Sequence, residues 1–179
     1  MKSYLITDPK QYHDFENSLK KALIQHSPDF ICFRDKRDQN HSLQVESFID
    51  IGRKLTRATI IIHSYLDLAL QYKADGIHVS SYDFKTIALA KEKNLYVVAS
   101  THNIEEAKSA ISYGADALTY SPIFDTPGKG KPVGLENLKE IIDIIDAPIF
   151  ALGGIITQEH ILALEEVHPY GFASIRYFL

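Results

Sequence analysis

Residues 96–121 read YVVASTHNIEEAKSAISYGADALTYS, and this stretch decides the fold. The apolar, β-branched run 96–101 predicts a strand, and the pattern over 104–113 has the 3.6-residue period of a helix. Asn103 stands where an N-cap belongs, with Glu105 and Glu106 in the first turn against the helix dipole. Gly114 follows where a helix ends on a left-handed residue, and 117–121 is apolar again. This is a strand–helix–strand unit, the element of a parallel sheet.

The same alternation extends in both directions. Further strands are expected over 3–7, 30–34, 59–63, 76–80, 148–152 and 172–177. Amphipathic helices are expected around Phe15–Leu23 and over 43–55, 66–72, 84–93, 135–145 and 160–167. Eight strand signals against seven helix signals predict a minimal TIM (β/α)8 barrel forming one domain over 1–179. An open doubly wound sheet is the rival, but the first turn has no G-x-G-x-x-G. The given sequence reaches Leu179 directly after the eighth strand signal, with no eighth helix. Something must then cover the outer face of strands eight and one. The expectation is a neighbouring helix or, in a homo-oligomer, a second subunit.

Composition narrows the setting. The 179 residues are 45% hydrophobic and 23% charged, with a net charge of −4, so no broad basic field exists to attract nucleic acid. No window approaches the roughly 20 apolar residues of a membrane helix. With no signal-peptide pattern and a single cysteine, Cys32, a soluble cytoplasmic protein without disulfides is expected.

In a barrel of this kind, chemistry sits at the carboxyl ends of the strands. Arg34 and Lys36 straddle the end of strand two on one side, as a pair of cations able to clamp an anion or to pair with Asp8 and Asp35. The loop 123–134 carries Thr126, Gly128, Lys129, Gly130 and Lys131, a composition suited to phosphate or to an ordinary surface loop. Gly153-Gly154 after strand seven opens backbone amides, and Arg176 either closes the same site or faces outward. His102, next to Ser100 at the end of strand five, is the preferred acid/base or ligand contact. His78 reads equally well as a core histidine, and His63 is intermediate. No H-E-x-x-H or cysteine pairing marks a zinc site.

In this order the strand-end motifs resemble the thiamin-phosphate synthase family and its relatives, the TenI-like thiazole tautomerases. The similar stretches include Tyr4-Leu5-Ile6-Thr7-Asp8, Arg34-Asp35-Lys36, Ala74-Asp75-Gly76-Ile77-His78 and Ser100-Thr101-His102-Asn103. Gly114-Ala115-Asp116, Ser121-Pro122-Ile123-Phe124-Asp125-Thr126 and Ala151-Leu152-Gly153-Gly154-Ile155 continue the likeness across nearly the whole chain. The resemblance implies thiamin biosynthesis and a thiazole phosphate bound near Gly153-Gly154. A synthase joins an aminopyrimidine pyrophosphate to that thiazole with Mg²⁺ and expels pyrophosphate. A tautomerase moves a proton on a thiazole carboxylate phosphate and needs no metal.

Against the synthase pattern the chain departs in several places. Cys32 stands where the family has glutamine, and His63-Ser64-Tyr65 replaces Asn-Asp-Arg, which removes a hard oxygen ligand for magnesium. Asp83 matches the second acidic ligand, and is the metal candidate if the synthase reading holds. Thr126-Pro127-Gly128-Lys129 keeps the lysine of the pyrophosphate loop but loses a hydroxyl, and Arg176 aligns with a serine. The expected function is therefore a TenI-like tautomerase using His102 as acid/base. A divergent synthase and a non-catalytic thiazole-phosphate-binding relative are the alternatives.

Overall fold

The structure, a computed structural model, describes residues 1–12, 14–36 and 42–179. Eight parallel strands close into a barrel in sequence order: β1 (Lys2–Ile6), β2 (Phe30–Phe33), β3 (Thr59–His63), β4 (Gly76–Val79), β5 (Tyr96–Thr101), β6 (Ala117–Tyr120), β7 (Ile149–Leu152) and β8 (Gly171–Ser174). The closing seam pairs Lys2 with Gly171 and Leu5 with Ser174. Seven helices lie between them: α1 (Phe15–His26), α2 (Ser42–Leu55), α3 (Leu66–Gln71), α4 (Lys85–Glu92), α5 (Ile104–Ser112), α6 (Gly134–Ile144) and α7 (Gln158–Glu165).

Alternation along each strand separates two apolar layers. Leu5, Ile31, Ile62, Ile77 and Val97 face the helices. Tyr4, Ile6, Phe30, Cys32, Ile61 and Phe150 fill the lumen. There Phe150 meets Phe30 edge to face at 5.2 Å and Tyr4 at 5.3 Å, so the lumen is a packed core. The deciding stretch behaves as read. The Asn103 side chain accepts the Glu106 N–H at 2.8 Å, while Glu106 returns to the His102 N–H at 2.8 Å.

At the opposite end from the mouth, one device recurs. Asp29, Asp75 and Asp116 each immediately precede an even-numbered strand and accept the N–H of the second residue of the neighbouring odd-numbered one. Their partners are Ser3 at 2.9 Å, Ile60 at 2.8 Å and Val97 at 2.7 Å. Each also holds a cation: Lys2 at 2.7 Å, Arg53 at 3.3 Å and Lys91 at 2.7 Å.

The eighth strand is shorter than the expected 172–177. Ser174 accepts the Tyr177 N–H at 3.2 Å and donates to the Ile155 carbonyl at 2.7 Å, turning the chain into a 3-10 helix over Arg176–Phe178. The aromatic pair Tyr177-Phe178 has strand propensity but serves as cover. Phe178 is buried, stacked on Phe172 of β8 at 5.8 Å and edge-on to His26 of α1 at 5.4 Å. The outer face of strands eight and one is thus covered in part by this turn, packed against α1. Among the described residues no helix is long and apolar enough to cross a membrane.

Candidate active site

A cavity of about 470 Å³ opens at the carboxyl ends of the strands. Arg34, Lys36, Lys129 and Arg176 bring four cations to its wall, and Asp8 is its single carboxylate among the described residues. Asp8 lies 3.8 Å from Arg34 and accepts the Lys10 N–H at 2.9 Å. Burial pulls the Lys36 ammonium below its ordinary pKa, and the charges of Arg34 and Lys129 add to the shift. Four cations against one carboxylate among the described residues suit an anionic ligand.

The glycine pair behaves as a cradle. Gly153 has φ +97° and Gly154 φ +71°, in the region that disfavours side chains. A Cβ on Gly153 would lie 2.8 Å from Pro122 Cα, and one on Gly154 would lie 2.7 Å from the Asp125 carbonyl. The Ile123 N–H donates to Leu152 at 2.9 Å, and the Phe124 N–H to Gly153 at 3.0 Å. The loop after β6 is therefore pinned against the turn after β7. Thr126 and Lys129 of that loop face the same cavity.

His102 sits at its edge. A backbone carbonyl only accepts, so the 2.8 Å contact with the Ser121 carbonyl fixes the His102 proton on Nδ1. Nε2 keeps a free lone pair, the state a general base requires. His78 is a core histidine, with Tyr4 Oη 3.1 Å from Nδ1 and Ser100 Oγ 3.0 Å from Nε2. His63 is nearly buried, and desolvation, aided by Arg34 and Lys36, pushes its pKa down to about 3.

The mouth gathers His102, Arg34, Lys36 and Ser100 from the strand ends, Thr126 and Lys129 from the loop, and Gly153, Gly154 and Arg176 from the last two strand ends. Arg176 reaches the cavity from the 3-10 turn. Asp83 is not among them. Its carboxylate accepts the Thr86 hydroxyl at 2.7 Å beside the start of α4, and it is not part of the cavity wall. With Ser64 at the end of β3, no group of three or more His, Cys, Asp or Glu side chains among the described residues is placed to hold a metal. Among the described residues one carboxylate, Asp8, faces the cavity, so a Mg²⁺ there would draw the rest of its shell from ligand phosphate oxygens and water. The sequence reading also missed Ser174, hidden by the overlong eighth strand, and Tyr82, an 85% exposed aromatic at the rim.

The fold and its mouth define a closed (β/α)8 barrel with a cationic cavity at the carboxyl ends of the strands. The model of the thiamine monophosphate synthase family (TMP-TENI) matches residues 3–177, and the chain belongs to this family. It is 33% identical over 181 residues to an Aquifex aeolicus (strain VF5) protein named "Putative thiamine-phosphate synthase 2", covering 98% of this chain and 96% of that one. It is 35% identical over 165 residues to the thiamine-phosphate synthase of Methanococcus maripaludis (strain C5 / ATCC BAA-1333), covering 87% and 76%. Among solved structures, the thiamine phosphate pyrophosphorylase of Pyrococcus furiosus superposes with a TM-score of 0.82 at 26% identity, covering 97% of this chain and 85% of that one.

Proposed function

We propose that the chain binds a small thiazole phosphate and acts on it as a metal-independent tautomerase, with His102 as acid/base. The observation that carries this reading is the Nδ1–H of His102 held on the Ser121 carbonyl, which leaves Nε2 free at the cavity edge. Nε2 takes a proton from one ligand atom and returns it to another, so the product is an isomer and no co-reactant is needed. The Ser121 carbonyl stabilises the imidazolium formed between the two steps. Gly153 and Gly154 cradle the phosphate, and Arg34, Lys36, Lys129 and Arg176 supply the charge.

The second reading is a thiamine-phosphate synthase, and the names of the relatives favour it over the tautomerase. The donor set favours the first, since among the described residues the cavity wall carries one carboxylate, Asp8, and no pair. Purified protein separates the readings. Tautomerisation of a thiazole carboxylate phosphate that persists in EDTA and is lost in His102→Ala supports the first. Mg²⁺-dependent pyrophosphate release from the aminopyrimidine pyrophosphate and thiazole phosphate identifies the synthase. Thiazole-phosphate binding with neither activity leaves a non-catalytic binding protein.

A further inference from the structure

We infer that Tyr4 and His78 form a buried positioning relay that fixes Ser100 as a hydrogen-bond donor to whatever ligand atom faces it. The relay runs from the lumen to the mouth. Tyr4 is fully buried, and its hydroxyl has two neighbours, Nδ1 of His78 at 3.1 Å and the thiol of Cys32. Cys32 Sγ lies 3.7 Å from the Phe33 carbonyl, the acceptor for its own hydrogen. An imidazole lone pair is a far stronger acceptor than a thiol sulfur, so the phenol donates to Nδ1.

The rest follows by counting hydrogens. Desolvation in the lumen, reinforced by the nearby Arg34 charge, keeps His78 neutral, so the ring carries one proton. With Nδ1 accepting, that proton is on Nε2, which donates to Ser100 Oγ at 3.0 Å. Thr119 Oγ1 at 3.4 Å is the longer, secondary partner. Ser100 Oγ is then already an acceptor on its buried side, and its own hydrogen points to the cavity it lines. Ser100 therefore selects a ligand acceptor (a ring nitrogen, carboxylate or phosphate oxygen) and disfavours an N–H or O–H at that place. The opposite tautomer would make Ser100 donate inward and show only lone pairs to the ligand. Cys32 matters because a stronger acceptor there would compete for the phenolic hydrogen.

The inference rests on the mouth being the ligand site proposed above, but its first test does not. The ¹⁵N shifts and long-range couplings of the ligand-free protein report the His78 tautomer directly. An Nε2–H ring is the expected result, unchanged in Cys32→Ala, and an Nδ1–H ring overturns the proposal. Calorimetry with thiazole phosphate then reads the consequence. Ser100→Ala and Tyr4→Phe should each weaken binding roughly two- to tenfold, the worth of one neutral hydrogen bond. In Tyr4→Phe the Nδ1–H form should also appear, which a purely structural role for Tyr4 would not produce. Unchanged affinity in both variants overturns the proposal. Failure of thiazole phosphate to bind the wild type, with His78 still Nε2–H, instead refutes the ligand reading.

Discussion

At the residue scale, the mouth separates side chains that act from side chains that hold. His102 is exposed and anchored through one ring nitrogen, so its loss should remove chemistry and leave the fold alone. Under the proposed function, His102→Ala should lower turnover by about 10² to 10⁴, with an unchanged melting curve. Gly154 is the reverse case. A methyl group there meets the Phe124 backbone and the Asp125 carbonyl on a left-handed backbone, so Gly154→Ala should cost on the order of 1–3 kcal/mol in chemical denaturation and weaken thiazole-phosphate binding. Asp83 tests the metal question. Since its carboxylate ties Thr86 beside α4 through an exposed hydrogen bond, Asp83→Ala should cost about 0.5 kcal/mol of stability and leave the response to added Mg²⁺ unchanged. A collapse of Mg²⁺-stimulated activity in that variant would restore the synthase reading.

At the element scale, strands and helices were legible wherever local chemistry and tertiary packing agree. The stretch around Asn103 is such a case, because its cap, its acidic first turn and its two apolar strands all point the same way. Strand eight was legible only in part. Phe172, Tyr177 and Phe178 share strand propensity, yet the Ser174 hydroxyl bends the chain by satisfying backbone groups on both sides, which no period reveals. For Asp83 the sequence gives a carboxylate's position along the chain, while a neighbouring threonine decides where it points. The terminal turn carries its own prediction. Phe178 is 2% exposed between Phe172 and His26, and Phe178→Ala should destabilise the barrel by about 3–5 kcal/mol, read as a fall in denaturation midpoint.

At the scale of the whole molecule, the buried histidines link stability to pH. His63 titrates near 3 when folded but near its ordinary value when unfolded, and His78 shifts in the same direction. Above about pH 6.5 both states are neutral at these rings and neither contributes. Below it the unfolded chain binds protons that the folded chain refuses, so stability falls by up to about 1.4 kcal/mol per pH unit for each ring. Thermal unfolding followed from neutral pH down to about pH 5 should show this slope, and His63→Asn should lessen it, leaving the share of His78. A transition temperature flat across that range would show that the rings accept protons without unfolding.

The aspartates at the strand starts have a consequence for how such a barrel diversifies. Asp29, Asp75 and Asp116 stitch successive strand pairs from the floor, on the side remote from every residue that faces the cavity. The closure of the sheet does not depend on the ligand end being any particular shape. A rim loop can therefore be recut or lengthened in this chain without touching the three clasps that hold the strand starts beneath it.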